Sequence, residues 1–383
     1  GADQVWEGAG DIPVLTGRGV TVAVIDSGID VRHQALKNRV IASVDFTGGN
    51  GGDRYGHGTH VAGIIAGQRG RELETRDVQG VASGAWLVSL RVLDDEGLGT
   101  VSSVVEAIDW AIEHRKQYDI GVINLSLGGP VEQSYRDDPM CEAVERAVAA
   151  GIVVVAAAGN YGKTEDGKIV FGGITSPGND PYVLTVGAID KHATGQRSDD
   201  SLAPYSSRGP TLFDRIIKPD VVAPGHRIVS AEAVGSYLSN AFPEGHVTGA
   251  GTSAYMRGSG TSMAAGVVSG VVALLLEENG RLKPAEIKAI VQLTSTFMPE
   301  AGLLAGGAGS VNALAAAFVV NSPSVPVTTT IASEQIDAIR VFFAPARQIK
   351  NPSHALSPAS IVWDTSIVWD TSIVWDTSIV WDT

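Results

Sequence analysis

The chain has 383 residues, a mass of 39.7 kDa and a formal net charge of −14, with a sequence pI near 5.0. That acidity argues against nucleic acid as a partner, because a phosphate backbone is bound by clustered Lys and Arg. One cysteine, Cys141, excludes an intrachain disulfide, and no apolar run approaches the roughly 20 residues of a membrane span. Hydrophobic residues make up 44% and charged residues 18%, which suits a soluble globular protein with a large core. The sequence opens without the basic and apolar segments of a signal peptide.

Short β-branched runs alternate with helical patterns through most of the chain. Strands are expected at 20–25, 86–92, 122–127, 152–158 and 183–188. These runs are apolar with little alternation, as strands covered on both faces are. Helices are expected between them at 101–114 and 140–150. The fold class is therefore α/β, with a mostly parallel central sheet and helices on both faces. Residues 262–278 (SMAAGVVSGVVALLLEE) are small and apolar nearly all round, which predicts a helix buried in the middle of a domain. Gly280 follows at a C′ position, and 282–293 reads as an amphipathic helix with Pro284 near its start.

The composition changes near residue 320. Residues 321–330 (NSPSVPVTTT) and 345–359 are rich in Pro, Ser and Thr and read as linkers, with one short element at 331–343 between them. Four copies of SIVWDT then fill 360–383 and hold four of the seven tryptophans. The even period keeps Ile, Trp and Thr on one face of an extended strand, with Ser, Val and Asp on the other. The expected organisation is a body over 1–318, a linker over 319–359 and a repeat tail over 360–383.

Three motifs carry chemistry. In 22–30 (VAVIDSGID), Asp26 ends a buried strand before a Ser-Gly turn; alone it reads as a turn former. In 56–63 (GHGTHVAG), His57 and His60 stand three apart at the start of a small-residue helix, as a helix start, a core histidine or a ligand pair would. In 258–265 (GSGTSMAA), Ser262 opens the buried helix, where a serine is most simply an N-cap. A helix start also offers free N–H groups and a positive dipole end to a developing oxyanion. Together the three suggest nucleophilic catalysis. A serine hydroxyl needs an imidazole to take its proton, and the imidazole needs a carboxylate to set its tautomer.

DSG at Asp26, HGTHVAG at 57–63 and GTSMA at 260–264 resemble, in this order, the three signatures of the subtilases, the subtilisin-like serine proteases. The resemblance takes in most of 1–318, including KPDVVAPG at 218–225 and GSVNALAA at 309–316. It implies a subtilisin-like fold and a serine endopeptidase. Asp26 would be the orienting carboxylate, His57 the general base, Ser262 the nucleophile and Asn160, after the strand ending in AAAGN, an oxyanion donor. His60 would be structural. Ser126, Leu127 and Gly128 would pair with an extended substrate and, with Ala157, Ala158 and Gly159, form the walls of a P1 pocket. Such β-augmentation reads little sequence, and these small walls suit apolar P1 side chains. Tyr161 would lie on the pocket rim and Thr175 or a neighbour near its floor.

The chain departs from the family pattern after GTSMAA, where Gly266, Val267 and Val268 replace Pro-His-Val. At the family's strongest calcium site an acid gives way to Ala35, and the usual calcium loop is replaced by 68–79 (QRGRELETRDVQ). No cofactor is expected for the chemistry, and structural calcium is left without named ligands. The resemblance further implies protein or peptide substrates, a propeptide before maturation and an extracellular location. Other readings are a tail that mediates self-association or binding, a flexible cleavable tail, a peptide ligase using the same triad, and a metal hydrolase using His57, His60 and Asp26.

Overall fold

A computed structural model describes residues 1–49, 51–70, 78–322 and 328–343; the SIVWDT repeats lie outside these. Ten helices are found among the described residues: α1 (Ala2–Glu7), α2 (His57–Ala66), α3 (Val101–Glu113), α4 (Arg115–Tyr118), α5 (Pro139–Ala149), α6 (Tyr237–Ala241), α7 (Thr261–Glu278), α8 (Pro284–Thr294), α9 (Gly302–Gly306) and α10 (Ala313–Asn321). The central sheet comprises β1 (Thr21–Asp26), β2 (Val40–Asp45), β3 (Trp86–Arg91), β4 (Ile120–Leu125), β5 (Val153–Ala157), β6 (Leu184–Asp190), β7 (Ser201–Leu202) and β8 (Val221–Pro224). Its order is β2-β3-β1-β4-β5-β6-β7, with β8 also on β6, and only β7 runs antiparallel.

The strand residues explain this layering. Every position of β1 is buried. Val22 and Val24 pack with α2 and α7 on one side, while Ala23 and Ile25 pack with α3 and α5 on the other. A strand covered twice has no polar face, which is why its sequence reads as a continuous apolar run. The edge strand β2 alternates instead (VIASVD) and was not anticipated from the apolar runs. Against the sequence expectation, α7 is long and apolar enough for a membrane span, yet most of it is buried inside the molecule as its core helix. Gly270 lets it lie close to its neighbours: a Cβ there would come within 2.5 Å of Val81 Cβ.

Two boundaries differ from the sequence expectation. β4 begins at Ile120 and stops at Leu125, because Asp119 turns the chain with a positive φ of 51° and the Ser126 carbonyl bonds Ser262 Oγ outside the ladder. Ser126, Leu127 and Gly128 therefore sit just past the strand. At the other end, α10 runs on to Asn321, and the short element expected at 331–343 begins at Thr328, within the stretch read as linker. β12 (Thr328–Ile331) and β13 (Glu334–Asp337) form a hairpin that buries Ile331 and Ile336.

A three-stranded antiparallel sheet completes the body, with β10 (His246–Thr248) and β9 (Ile228–Ala231) flanking β11 (Tyr255–Gly258). Strand order reverses between β1 and β4, and the crevice beyond the carboxyl ends of such strands is where open α/β sheets place their sites.

Candidate active site

Asp26 and His57 pair at the carboxyl end of β1, and Ser262 pairs with Ser126 just past the neighbouring strand β4. Asp26 closes β1 and is fully buried; its Oδ1 accepts the Ser27 N–H at 2.7 Å. Facing it, His57 Nδ1 lies 2.8 Å from Oδ1 and 3.0 Å from Oδ2. Burial lowers the His57 pKa, but the Asp26 charge, the hydrogen bond to it and the charge of Asp53 outweigh this and hold it above the ordinary 6.5.

The His57 loop is held from beneath by Asp53, which lies outside the motifs. Asp53 accepts from the N–H groups of Gly56 (2.6 Å) and Thr59 (2.8 Å) and the hydroxyls of Thr59 (2.5 Å) and Ser27 (2.9 Å). The Ser27 hydroxyl in turn accepts the Gly58 N–H at 2.9 Å. An acid near the start of a helix, taking its orphan N–H groups, is a capping pattern readable in sequence. Burial pushes the Asp53 carboxyl up to about 6, although its four donors favour the charged form. His60 turns away: its Nε2 lies 3.2 Å from the Met256 carbonyl, and burial takes its pKa down to about 4. His57, His60 and Asp26 therefore do not converge on one point.

Ser262 lies in the first turn of α7, where backbone N–H groups have no partners inside the helix. Its hydroxyl donates to the Ser126 carbonyl at 3.0 Å, and the Ser126 hydroxyl donates to the Ser262 carbonyl at 2.9 Å. Behind them the chain continues inward: Asn124 donates to the Ser126 hydroxyl at 2.9 Å and accepts from Ser269 at 2.8 Å. This buried chain ties the helix start to the end of β4.

Asn160 is exposed beyond β5. Thr261 orients it, donating to its Oδ1 from the backbone N–H at 3.0 Å and from the hydroxyl at 3.1 Å. With its oxygen occupied, the amide leaves the Nδ2 donors to serve the crevice; Nδ2 lies 3.6 Å from where a Gly260 Cβ would stand.

Past β4, Ser126 is buried, Leu127 half-buried and Gly128 exposed; at the end of β5, Ala157 and Ala158 are buried and Gly159 half-buried. The buried side chain of Thr175 adjoins both Gly128 and Gly159. A Cβ on Gly128 would meet Thr175 Oγ1 at 2.5 Å, and one on Gly159 would meet its Cγ2 at 2.8 Å. Gly159 also has a φ of 100°, so glycine is required there twice over. The ring of Tyr161 stands out in solvent at 63% exposure.

Ala35 brings no side-chain ligand to the position where the resemblance implies an acid. Ala35 is buried, and its carbonyl accepts the Gln68 N–H at 2.7 Å. Among the described residues no group of three or more His, Cys, Asp or Glu side chains is placed to hold a metal. Residues 71–77 of the replaced loop lie outside the described residues.

Comparison with known proteins bears on this geometry. The family model described as "Subtilase family" matches residues 17–318. The chain is 37% identical over 306 residues to serine protease AprX of Bacillus subtilis, covering 78% of this chain and 66% of that protein, a little under two thirds. Against subtilisin DY of Bacillus licheniformis, identity is 34% over 79% of this chain and 92% of the relative. A solved structure of a cold-adapted subtilisin-like serine proteinase superposes with a TM-score of 0.56 at 30% identity, covering 80% of this chain and 92% of the other.

Proposed function

The chain belongs to the subtilase family of serine peptidases, and from that premise we propose that it is an endopeptidase acting through an acyl-enzyme on Ser262. The observation that carries the reading is the buried Asp26 carboxylate held at 2.8 Å on His57 Nδ1, which leaves Nε2 as the nitrogen able to take a proton. An extended substrate lies along Ser126, Leu127 and Gly128. Ser262 Oγ turns from the Ser126 carbonyl toward His57, gives up its proton to Nε2 and bonds to the scissile carbonyl carbon. The oxygen takes the negative charge and is met by Asn160 Nδ2 and the Ser262 N–H at the start of α7. Collapse breaks the C–N bond as His57 returns the proton to the leaving amine. Water repeats the sequence to release the acid and restore Ser262.

Each proton and bond in this cycle is carried by named side chains, backbone or water, so the chemistry needs no cofactor. The small walls at Gly128 and Ala157 to Gly159 support broad specificity with an apolar P1 residue. Family membership supports protein substrates, maturation from a propeptide-bearing precursor and work outside the cell. Self-association through the SIVWDT repeats is a second reading that rests on their sequence alone.

The test is turnover of a short peptide anilide with Leu or Phe at P1. Ser262→Ala should lose at least about 10⁴-fold in kcat/KM, and a serine-directed phosphonate should silence the parent. Equal activity in parent and variant would refute the assignment.

A further inference from the structure

An aromatic surface adjoins the imidazole without entering the proton transfers. Tyr55 precedes His57 by two residues, and its ring centroid is 6.5 Å from the imidazole at a tilt of 41°. Gly97 closes against this ring: a Cβ there would lie 2.5–2.7 Å from three ring atoms. Tyr237 stacks on Tyr55 with centroids 5.7 Å apart and planes 20° from parallel, and is itself 52% exposed.

Tyr237 comes from the excursion between β9 and β11 that contains α6, and this excursion is docked on the loop bearing His57. The Tyr237 N–H donates to the Arg54 carbonyl at 2.8 Å, and the Leu238 N–H to the Tyr55 carbonyl at 3.0 Å. Gly56 has a φ of 102°, and a Cβ there would stand 2.4 Å from Ser236 Oγ. At its root, the buried Glu232 accepts from Ser239 Oγ at 2.7 Å and pairs with His246 Nδ1 at 2.7 Å. The stack is thus a rigid feature anchored at both ends, and a preformed surface binds with little ordering cost.

Its position relative to a substrate follows from strand geometry. Neighbouring side chains of an extended peptide point to opposite faces. The P1 side chain enters the cleft on the β4–β5 side of Ser262, so the preceding residue, P2, turns the other way. His57, Tyr55 and the Gly97 turn lie on that β1–β3 side. We propose that Tyr55 and Tyr237 form an aromatic wall that selects a large apolar, above all aromatic, side chain at P2. Offset ring contact with P2 favours a flat side chain over an aliphatic one, and leaves a carboxylate there desolvated. The inference rests on Ser262 and His57 acting as described above.

The experiment uses peptide anilides that share one P1 residue and differ at P2 (Gly, Ala, Phe or Asp), cleaved by the full chain. In the parent, kcat/KM for Phe should exceed that for Gly by about tenfold, equivalent to about 1.4 kcal/mol, with the difference mainly in KM. Tyr237→Ala should bring the ratio down to about twofold, while Tyr237→Phe, which keeps the ring, should preserve it. A parent that cleaves the Gly and Phe peptides equally overturns the inference, and this needs no variant to fold. So does an active Tyr237→Ala with the parental ratio. Survival of turnover in Ser262→Ala would instead overturn the catalytic reading, so the two failures are distinguishable.

Discussion

Asp26 is a carboxylate with no exposure to water, and what it does to His57 is the most measurable property of the site. In the proposed cycle the imidazole must be neutral to accept the Ser262 proton, and its pKa is held above 6.5 against the opposing effect of burial. Activity should therefore fall on the acid side through a pKa above 6.5, read as the acid limb of kcat/KM against pH. Asp26→Asn removes the charge, so the limb should move to lower pH while the plateau drops about 10⁴-fold. An acid limb that stays in place would mean that another group titrates. The same raised pKa acts on stability: its contribution is complete below the unfolded value of 6.5 and is lost as pH rises through the folded value. Asp26, His57 and Ser262 were legible as candidates because the chemistry needs those side chains at chain turns and helix starts. The orientation of Asn160 was not, because it depends on Thr261, 101 residues away.

β6, β8 and α8 are joined by buried charges rather than by apolar packing alone. Lys218 donates to the Val183 carbonyl, Thr185 Oγ1 and Asp220 Oδ2 at 2.7–2.8 Å. Lys288, from α8, reaches the Pro181 and Val183 carbonyls and stands 2.9 Å from Asp220 Oδ1, to which Gln292 also donates. Burial brings the Lys218 ammonium down to about 7, while the two lysines together hold the buried Asp220 carboxyl below its ordinary value. Removing the shared carboxylate leaves two buried cations without their counter-charge. Asp220→Ala should cost about 3–5 kcal/mol of stability, read by thermal or denaturant unfolding. A loss below about 1 kcal/mol would show that the cluster has no net stabilising role. KPD at 218–220 was visible in sequence as a family segment, but its partner Lys288 looked like an ordinary polar position of an amphipathic helix.

For the molecule as a whole, the two ends of the described body meet. A Cβ on Gly1 would lie 3.2 Å from Ile331 Cδ1, and Gln4 donates to the Thr330 carbonyl at 3.0 Å. Asn312 donates to Thr329 at 2.8 Å, and the Arg197 N–H donates to Glu334. Further on, Ile339 and Arg340 donate to the Ser295 and Leu293 carbonyls at the end of α8, and Phe343 N–H reaches Gln292 Oε1. Deleting 360–383 should leave both the unfolding midpoint and kcat/KM unchanged. Deleting 323–383 removes the burial of Ile331 and Ile336 and should cost about 2–5 kcal/mol. Equal unfolding midpoints for the two truncations would show that the hairpin is not part of the stable body. A change in sedimentation on losing only 360–383, with hydrolysis intact, would favour the repeats as an association module.

By itself the sequence determined the layered α/β fold, since strands buried on both faces must read as apolar runs. It also singled out candidates for acid, base and nucleophile, since only certain residues can do that chemistry. It left the type of the element at 331–343 open and read 328–330 as linker, because a polar hairpin whose two isoleucines are buried has the local composition of a linker. Tertiary structure alone decided the relations across long separations: Thr261 turning the Asn160 amide, Ser269 and Asn124 supporting Ser126, and Tyr237 stacking beside His57. Those depend on which distant backbones approach one another, and no local pattern of residues records that distance.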